Sequence, residues 1–295
     1  MHPQAFRRRA LLLVNKKARS GTARVQDALD VLTASGVDLV EPAGLCTRED
    51  LDRCIRDNAS GVDLVVAGGG DGTMNAAAGA IRDTGLPLGI LPLGTANDLA
   101  RSLSIPVNPV EAARVITAGA VRRLDLGNVN GHPFLNVASI GFSVNLARQL
   151  TSEAKKRFGV LGYAAAASRI LSQSRPFTAF IDHDGTVEEV RTMQMSVGNG
   201  RFYGGGMTVE SSATPFDGRL DFYSLEVEHW WQLVRLAPAL RRGTHGQHAS
   251  VRAFGTTELT IRTRRPHLVN TDGELLTSTP AHFTISRAAL PVFVP

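Results

Sequence analysis

Between residues 10 and 125 the spacing of apolar residues switches repeatedly from that of a buried strand to that of an amphipathic helix, which only one class of sheet accommodates. "ALLLVN" is an unbroken apolar run, as expected of a strand covered on both faces. "ARVQDALDVLTASG" places its apolar residues along one helical face and stops at Gly36. The alternation continues with "VDLVEPA" as strand, "TREDLDRCIRD" as a helix capped by Thr47, and "VDLVVAG" as strand. "TMNAAAGAIRDTG" then reads as helix, "PLGILPLG" as strand and "TANDLARSL" as helix. Strands separated by helices cannot form hairpins with one another, so a doubly wound parallel sheet is expected.

Near Asp125 the pattern changes to short β runs bounded by Gly, Asn and Asp, such as "PFTAFIDHDGTVEEV", "TMQMSVGNG", "GRLDFYSLEV", "TELTIRTRR" and "AHFTISRAA". That is the signature of an antiparallel sandwich. Two helical stretches interrupt it, "EAKKRFGVLGYAAAASRIL" and "EHWWQLVRLAPALRRG". At 295 residues the chain is long for one domain. The expectation is an α/β nucleotide-binding domain over 1–124 and a β-sandwich domain over 125–295, with a cleft between them. The C-terminal end is a candidate to return to the first domain.

Composition narrows the function classes. Hydrophobic content of 43% and charged content of 20% suit a folded globular chain, and no apolar run approaches the length needed to cross a bilayer. The start "MHPQAFRRRALLLVN" lacks the apolar core of a signal peptide, so a cytoplasmic protein is expected. The net charge of +5 is concentrated: residues 1–24 hold seven Lys or Arg and no acid, and residues 235–265 hold seven Arg against Glu258. Such patches attract nucleotide phosphates or an anionic membrane surface. Nucleic acid is a poor partner, with aromatics at 6% and no recognisable binding module. Cys46 and Cys54 form no CxxC pattern and are expected as separate thiols, and the eight histidines are too scattered to hold a metal.

"VVAGGGDGTMNAAAG" places glycines and Asp71 where a strand hands over to a helix, the end of a parallel sheet at which ligands bind. The run is neither a Walker loop nor GxGxxG, since no lysine follows and Asn75 stands at the last glycine position. A phosphate among these glycines meets the Asp71 carboxylate unless a cation lies between. "LPLGTANDLARSL" repeats the device with Gly94, Thr95 and Asp98, although Thr95 and Asn97 also suit plain helix capping. Asp184-Gly185, Asp217-Gly218 and Asp272-Gly273 each read as hairpin turns.

In their order and spacing, "GGGDGTMN", "LPLGTANDLAR", "LDLGNVNG", "GNGRFYGGGM", "FDGRLDFYSL" and "NTDGEL" resemble the diacylglycerol kinase catalytic-domain family, and most closely its soluble bacterial lipid kinases. The resemblance runs from "LLLVN" to the C-terminus. It implies ATP contacts at Asn15, Thr47, Gly69, Gly70, Asp71, Gly72, Thr73, Asn75 and Thr95. It implies an Mg²⁺–water network on Asp71, Asp98 and Asp125, and a second Mg²⁺ at Asp217 with the carbonyls of Thr214 and Arg219. Asp272 matches the family's general base and Glu274 a supporting acid, for transfer of phosphate to a lipid hydroxyl of diacylglycerol-like or sphingoid/ceramide-like type.

Two departures accompany the match. Ala76 replaces the acid that usually follows this loop, and "NKKARSG" replaces the usual Asn-Pro motif, leaving Lys16, Lys17 and Arg19 to grip phosphate. An NAD kinase is the alternative reading, and a non-catalytic lipid- or nucleotide-binding member a further one. A lipid acceptor implies peripheral attachment to the inner face of a membrane, with Trp230, Trp231, Val234, Leu240, Arg235, Arg241 and Arg242 as candidate contacts. A homodimer is one further expectation.

Overall fold

The computed structural model describes residues 8–14, 23–42, 46–48, 50–144, 172–200, 202–203, 207–208 and 213–295. The "EAKKRFGVLGYAAAASRIL" helix, Asn15, Lys16, Lys17 and Arg19 lie outside the described residues. The chain divides into two units: Met1–Leu126 with Pro215–Asp217 and Ser286–Pro295, and Gly127–Thr214 with Gly218–Ile285.

In the first unit the elements run β1 (Arg8–Val14), α1 (Ala23–Ala34), β2 (Val37–Val40), α2 (Leu51–Asn58), β3 (Leu64–Gly69), α3 (Asp71–Thr84), β4 (Leu88–Pro92), α4 (Asp98–Ser102) and α5 (Pro109–Ala118). The strands pair in parallel in the order β2-β1-β3-β4. Leu64 to Ala67 of β3 and Ala10 to Leu13 of β1 are buried, so both faces of the sheet are covered. α1 packs on α5 and α2 on α3. Asn108 caps α5 by accepting from the Val110 amide at 3.0 Å, ahead of Pro109 at the first helical position.

Two local expectations fail here. α2 begins at Leu51, and Thr47 does not cap it: its hydroxyl donates to Asp50 Oδ2 at 2.8 Å. Cys46 and Cys54 are not separate thiols but a disulfide with Cα atoms 6.3 Å apart. Eight residues of separation carry no signal for this, because the bridge depends on how the chain folds back into α2.

Residues 121–129 form β5 (Val121–Val129), whose end pairs with β6 (His132–Phe134) in the second unit. There follow β7 (Val137–Gly141), β8 (Phe177–His183), β9 (Thr186–Thr192), β10 (Gln194–Gly198), the ribbon β11 (Phe202–Tyr203) with β12 (Met207–Thr208), and β13 (Leu220–Leu225). After α6 (Trp230–Arg242) come β14 (Val251–Thr256), β15 (Glu258–Thr263), β16 (Leu268–Thr271), β17 (Glu274–Ser278) and β18 (Ala281–Phe293). One sheet is antiparallel throughout, in the order β14-β13-β10-β7-β16-β17. The other joins β9, β8, β15 and the first half of β18. Met195, Ile140 and Phe222 from the first sheet meet Ile181, Leu259 and Phe283 from the second in one core. The last half of β18 belongs to the first unit, where Val292 pairs in parallel with Leu88.

Asp184-Gly185 is the two-residue turn between β8 and β9, with φ of 49° and 75°, as the sequence indicates. Asp217-Gly218 is not a hairpin turn. It precedes β13, whose partners are β10 and β14, while β12, the described strand next before it in sequence, pairs with β11.

Two measurements test this core. Phe283 is fully buried and meets Phe134 edge-on at 6.4 Å, so Phe283→Ala is expected to cost about 3–5 kcal/mol in urea unfolding, whereas Val187→Ala, half exposed, shifts it by less than about 0.5 kcal/mol. His267 stacks on Phe177 at 4.2 Å, and burial holds its imidazole below the usual pKa. The unfolded chain therefore binds the proton more readily, and stability is full above the unfolded value of about 6.5 and falls as pH drops through it. His267→Phe, which keeps the stack, is expected to flatten the dependence of melting temperature on pH between about 5 and 7.

Candidate functional site

β3 and β4 are neighbours, with Gly69 opposite Pro92, so their carboxyl ends bring the two glycine motifs side by side. Contact is closest at Gly70 and Gly94: a Cβ on Gly94 would lie 2.4 Å from the Gly70 Cα and 2.8 Å from Asn97 Oδ1. Gly94 leaves no room for a side chain, and a Cβ on Gly70 would meet the Gly94 Cα at 3.1 Å, a packing requirement separate from any ligand. Thr73 folds back over Gly69, where a Cβ would stand 2.3 Å from its hydroxyl.

α3 starts immediately after this turn, with Gly70 as N-cap and no side chain capping it. The Thr73 amide bonds Gly70 O at 2.9 Å, which leaves the earlier amides of the turn directed outward at the positive end of the helix. Asp71 does not cap its own helix. Its Oδ1 accepts from the Leu99 amide at 2.9 Å and so caps α4 from the neighbouring loop. Thr95 and Asn97 therefore do not have the capping role their positions suggest. Asn97 adopts a left-handed φ of 51° and exchanges two bonds with Gly94, its Oδ1 accepting from the amide and its Nδ2 donating to the carbonyl, both at 2.9 Å. Thr95 is exposed at the rim, and α4 is only five residues long. Gly69, Gly70, Asp71, Met74, Pro92, Asn97 and Leu99 line a shallow crevice between the loops.

Sequence reasoning missed Arg48. Its Nε donates to Gly72 O at 3.3 Å, and its guanidinium lies so flat on Gly72 that a Cβ there would be 2.6 Å from Nη2. A delocalised cation thus rests at the open N-terminus of α3, and the adjacent Cys46–Cys54 bridge holds its segment to α2. Nothing in the spacing of Arg48 marks it, since the contact spans 24 positions of sequence. Thr47 is exposed beside it.

The carboxylates expected to hold magnesium are buried or half-buried: Asp98 is 5% and Asp125 4% exposed. Asp125 Oδ1 accepts from the Ala288 amide at 2.7 Å, at a residue with φ of 47°. Among the described residues no three Asp, Glu, His or Cys lie close enough together to hold an ion directly. The donors are nonetheless all hard oxygens, and the Asn75 side-chain oxygen is buried with no hydrogen-bond partner among the described residues. That set fits a magnesium ion that keeps its waters and does not fit a direct cage. Asp217 is exposed, and the Arg219 side chain donates to Gly255 O.

In the second unit, Asp272 and Gly273 make the two-residue turn between β16 and β17, with φ of 48° and 98°. Three consecutive amides close on the Asp272 carboxylate: Leu135 at 2.6 Å, Asn136 at 3.1 Å and Val137 at 3.0 Å. This nest is braced by the "GNG" motif, as Asn199 Nδ2 donates to Leu135 O at 3.0 Å and its amide to Asn136 O at 2.9 Å. Glu274, half-buried, opens β17 at the edge of its sheet, and Leu275 and Leu276 beside it are exposed.

Residues 9–129 match the diacylglycerol kinase catalytic domain family, and residues 136–294 match the YegS C-terminal NAD kinase beta sandwich-like domain. A diacylglycerol kinase of Mycobacterium tuberculosis H37Rv is 33% identical over 276 residues, covering 91% of this chain and 88% of its own. A protein of Pseudomonas aeruginosa PAO1 named "Probable lipid kinase YegS-like" is 33% identical over 299 residues, covering 97% and 94%. The crystal structure of a diacylglycerol kinase from Bacillus anthracis shares the fold with a TM-score of 0.76 at 23% identity, over 99% of this chain and 98% of that one.

Gly94→Ala is expected to part the two loops and lower affinity for a fluorescent ATP analogue about tenfold or more, in line with an overpacking cost of roughly 1–3 kcal/mol. Gly61→Ala, where a Cβ meets only Arg9 Nη1 at 4.0 Å, is the control expected to bind normally.

Proposed function

Because this chain belongs to the diacylglycerol kinase family and is a lipid kinase, we propose that it transfers the γ-phosphate of ATP, with Mg²⁺, to the hydroxyl of a diacylglycerol-like or sphingoid/ceramide-like membrane lipid. The observation that carries the nucleotide half is the uncapped N-terminus of α3, with its outward amides, its glycine turn and the Arg48 guanidinium over Gly72. Gly69, Gly70, Gly72 and Thr73 let phosphate oxygens approach the backbone, Arg48 offsets their charge, and Thr47, Asn75, Thr95 and Asn15 complete the nucleotide contacts. Asp71, Asp98 and Asp125 would hold magnesium, which would supply positive charge to offset the triphosphate. Asp217 with the Thr214 and Arg219 carbonyls is assigned a second, structural ion.

Phosphoryl transfer has a loose transition state, so positioning and charge matter more than a strong base. Asp272 and Glu274 share the task of receiving the lipid hydroxyl proton. Three amides hold the Asp272 carboxylate in place at the turn, and Glu274 opens β17 two residues on. The exposed Leu275 and Leu276 next to Glu274 suit an acyl-bearing acceptor rather than NAD. Ala76 removes one acid from the loop, but Asp71, Asp98, Asp125 and Asp272 are all present, which supports a catalytic member over a silent one.

The decisive assay is transfer of label from γ-labelled ATP to diacylglycerol, monoacylglycerol, ceramide and sphingoid base in mixed micelles, with and without Mg²⁺ and with NAD as a control. Labelled lipid that disappears with a chelator supports the reading, and label on NAD alone would overturn it. Glu274→Gln is expected to lower kcat about a hundredfold or more in the same assay. Asp272→Asn turns an amide N–H₂ toward backbone donors, so it is expected to lose activity together with about 1–3 kcal/mol of stability per donor left unsatisfied.

A further inference from the structure

We propose that α6 is the membrane-docking element of this protein and seats on an anionic lipid surface. The inference rests on the lipid-kinase reading, which requires the chain to reach a substrate held in a bilayer.

α6 divides into two faces. Leu233 and Leu236 turn inward, 6% and 5% exposed, and pack with Tyr223, Leu225, Val227 and Val251. That face holds the helix to its unit. The outward positions should then be polar. Instead Trp230, Trp231 and Val234 are 38%, 43% and 54% exposed, among the largest apolar side chains left in contact with water. The remaining exposed positions on the helix include Arg235, Arg241 and Arg242, and the helix contains no acid.

A purely local account covers only part of this. Arg241 and Arg242 lie in the last turn, where cations complement the helix dipole. Arg235 is mid-helix, and its guanidinium lies 5.4 Å from the Trp231 ring centre. Neither Arg235 nor the two indoles is explained by capping. Tryptophan places an apolar body and a polar N–H at one boundary, and arginine extends its stem along apolar surface while its charge stays wet. Their combination on one face matches the headgroup layer of an anionic membrane, where each cation adds about 1 kcal/mol of attraction. The charge complementarity selects an anionic lipid surface over a second copy of this chain, whose own α6 would carry the same positive charge to the contact.

The chain has two tryptophans, and both are on this face. Intrinsic emission of the unlabelled full-length protein therefore reports on α6 directly. On titration with phosphatidylcholine/phosphatidylglycerol vesicles the emission is expected to shift to the blue, to be quenched by lipids brominated in their acyl chains, and to revert at high salt. Pure phosphatidylcholine vesicles are expected to produce little change. Trp230→Ala with Trp231→Ala, and separately Arg235→Glu with Arg242→Glu, are expected to abolish co-sedimentation with anionic vesicles. Each pair is also expected to reduce phosphorylation of vesicle-borne lipid about tenfold or more, with turnover of a short-chain, water-soluble substrate retained. Unchanged emission and no sedimentation, in a protein that phosphorylates the short-chain substrate, would overturn the docking assignment and leave the kinase reading intact. A blue shift that follows protein concentration without lipid would overturn it in favour of self-association. Vesicle binding through these residues with no lipid phosphorylated would uphold the docking surface and overturn the kinase reading.

Discussion

The hydrogen bond from the Leu99 amide to the Asp71 carboxylate is the contact on which the rest of the nucleotide-side geometry depends. It joins the first residue of α3 to the start of α4, across the two loops that leave the adjacent strands β3 and β4. With that bond made, Gly70 and Gly94 come within van der Waals contact, and Asn97 seals the second loop through its paired bonds to Gly94. Asp71 is diverted to another helix, so the N-terminus of its own helix keeps its amides and its positive dipole for an anion. An acid inside a glycine loop is thus first a structural acceptor, with one of its oxygens committed to the Leu99 amide.

The same economy governs the acids elsewhere. Asp125 accepts from Ala288 and so ties the C-terminal strand back to its unit. Asp272 accepts from three successive amides at a turn that needs left-handed φ at both residues. Each carboxylate satisfies backbone donors that would otherwise be buried without a partner, a deficit that costs more than a typical hydrogen bond contributes. The acids are consequently oriented by the fold, and the chemistry assigned to them begins from fixed positions.

Much of the site was legible in local pattern. The hairpin at Asp184-Gly185 and the turn at Asp272-Gly273 follow from backbone conformations that few other residues adopt, and the glycine runs from close approach of neighbouring atoms, so the letters themselves carry the information. Other features were not legible. Arg48 reaches Gly72 across 24 positions, Cys46 and Cys54 meet because of the path into α2, and Thr47, Thr95 and Asn97 look like caps but do not cap. The Arg48 contact is long-range, whereas Thr47 and Asn97 spend their side chains on Asp50 and Gly94, three positions away, instead of on a helix end.

Taken alone, the sequence determined the alternation that makes a parallel sheet, the later change to short antiparallel strands, and the places where only glycine, asparagine or aspartate suits the backbone. These depend on periodicity and on steric limits within a few residues. The tertiary structure decided which amides each carboxylate serves, which cation lies over the glycine loop, and which tryptophans stay in water. Those outcomes are set by distances between residues far apart in the chain, and only the packed fold determines them.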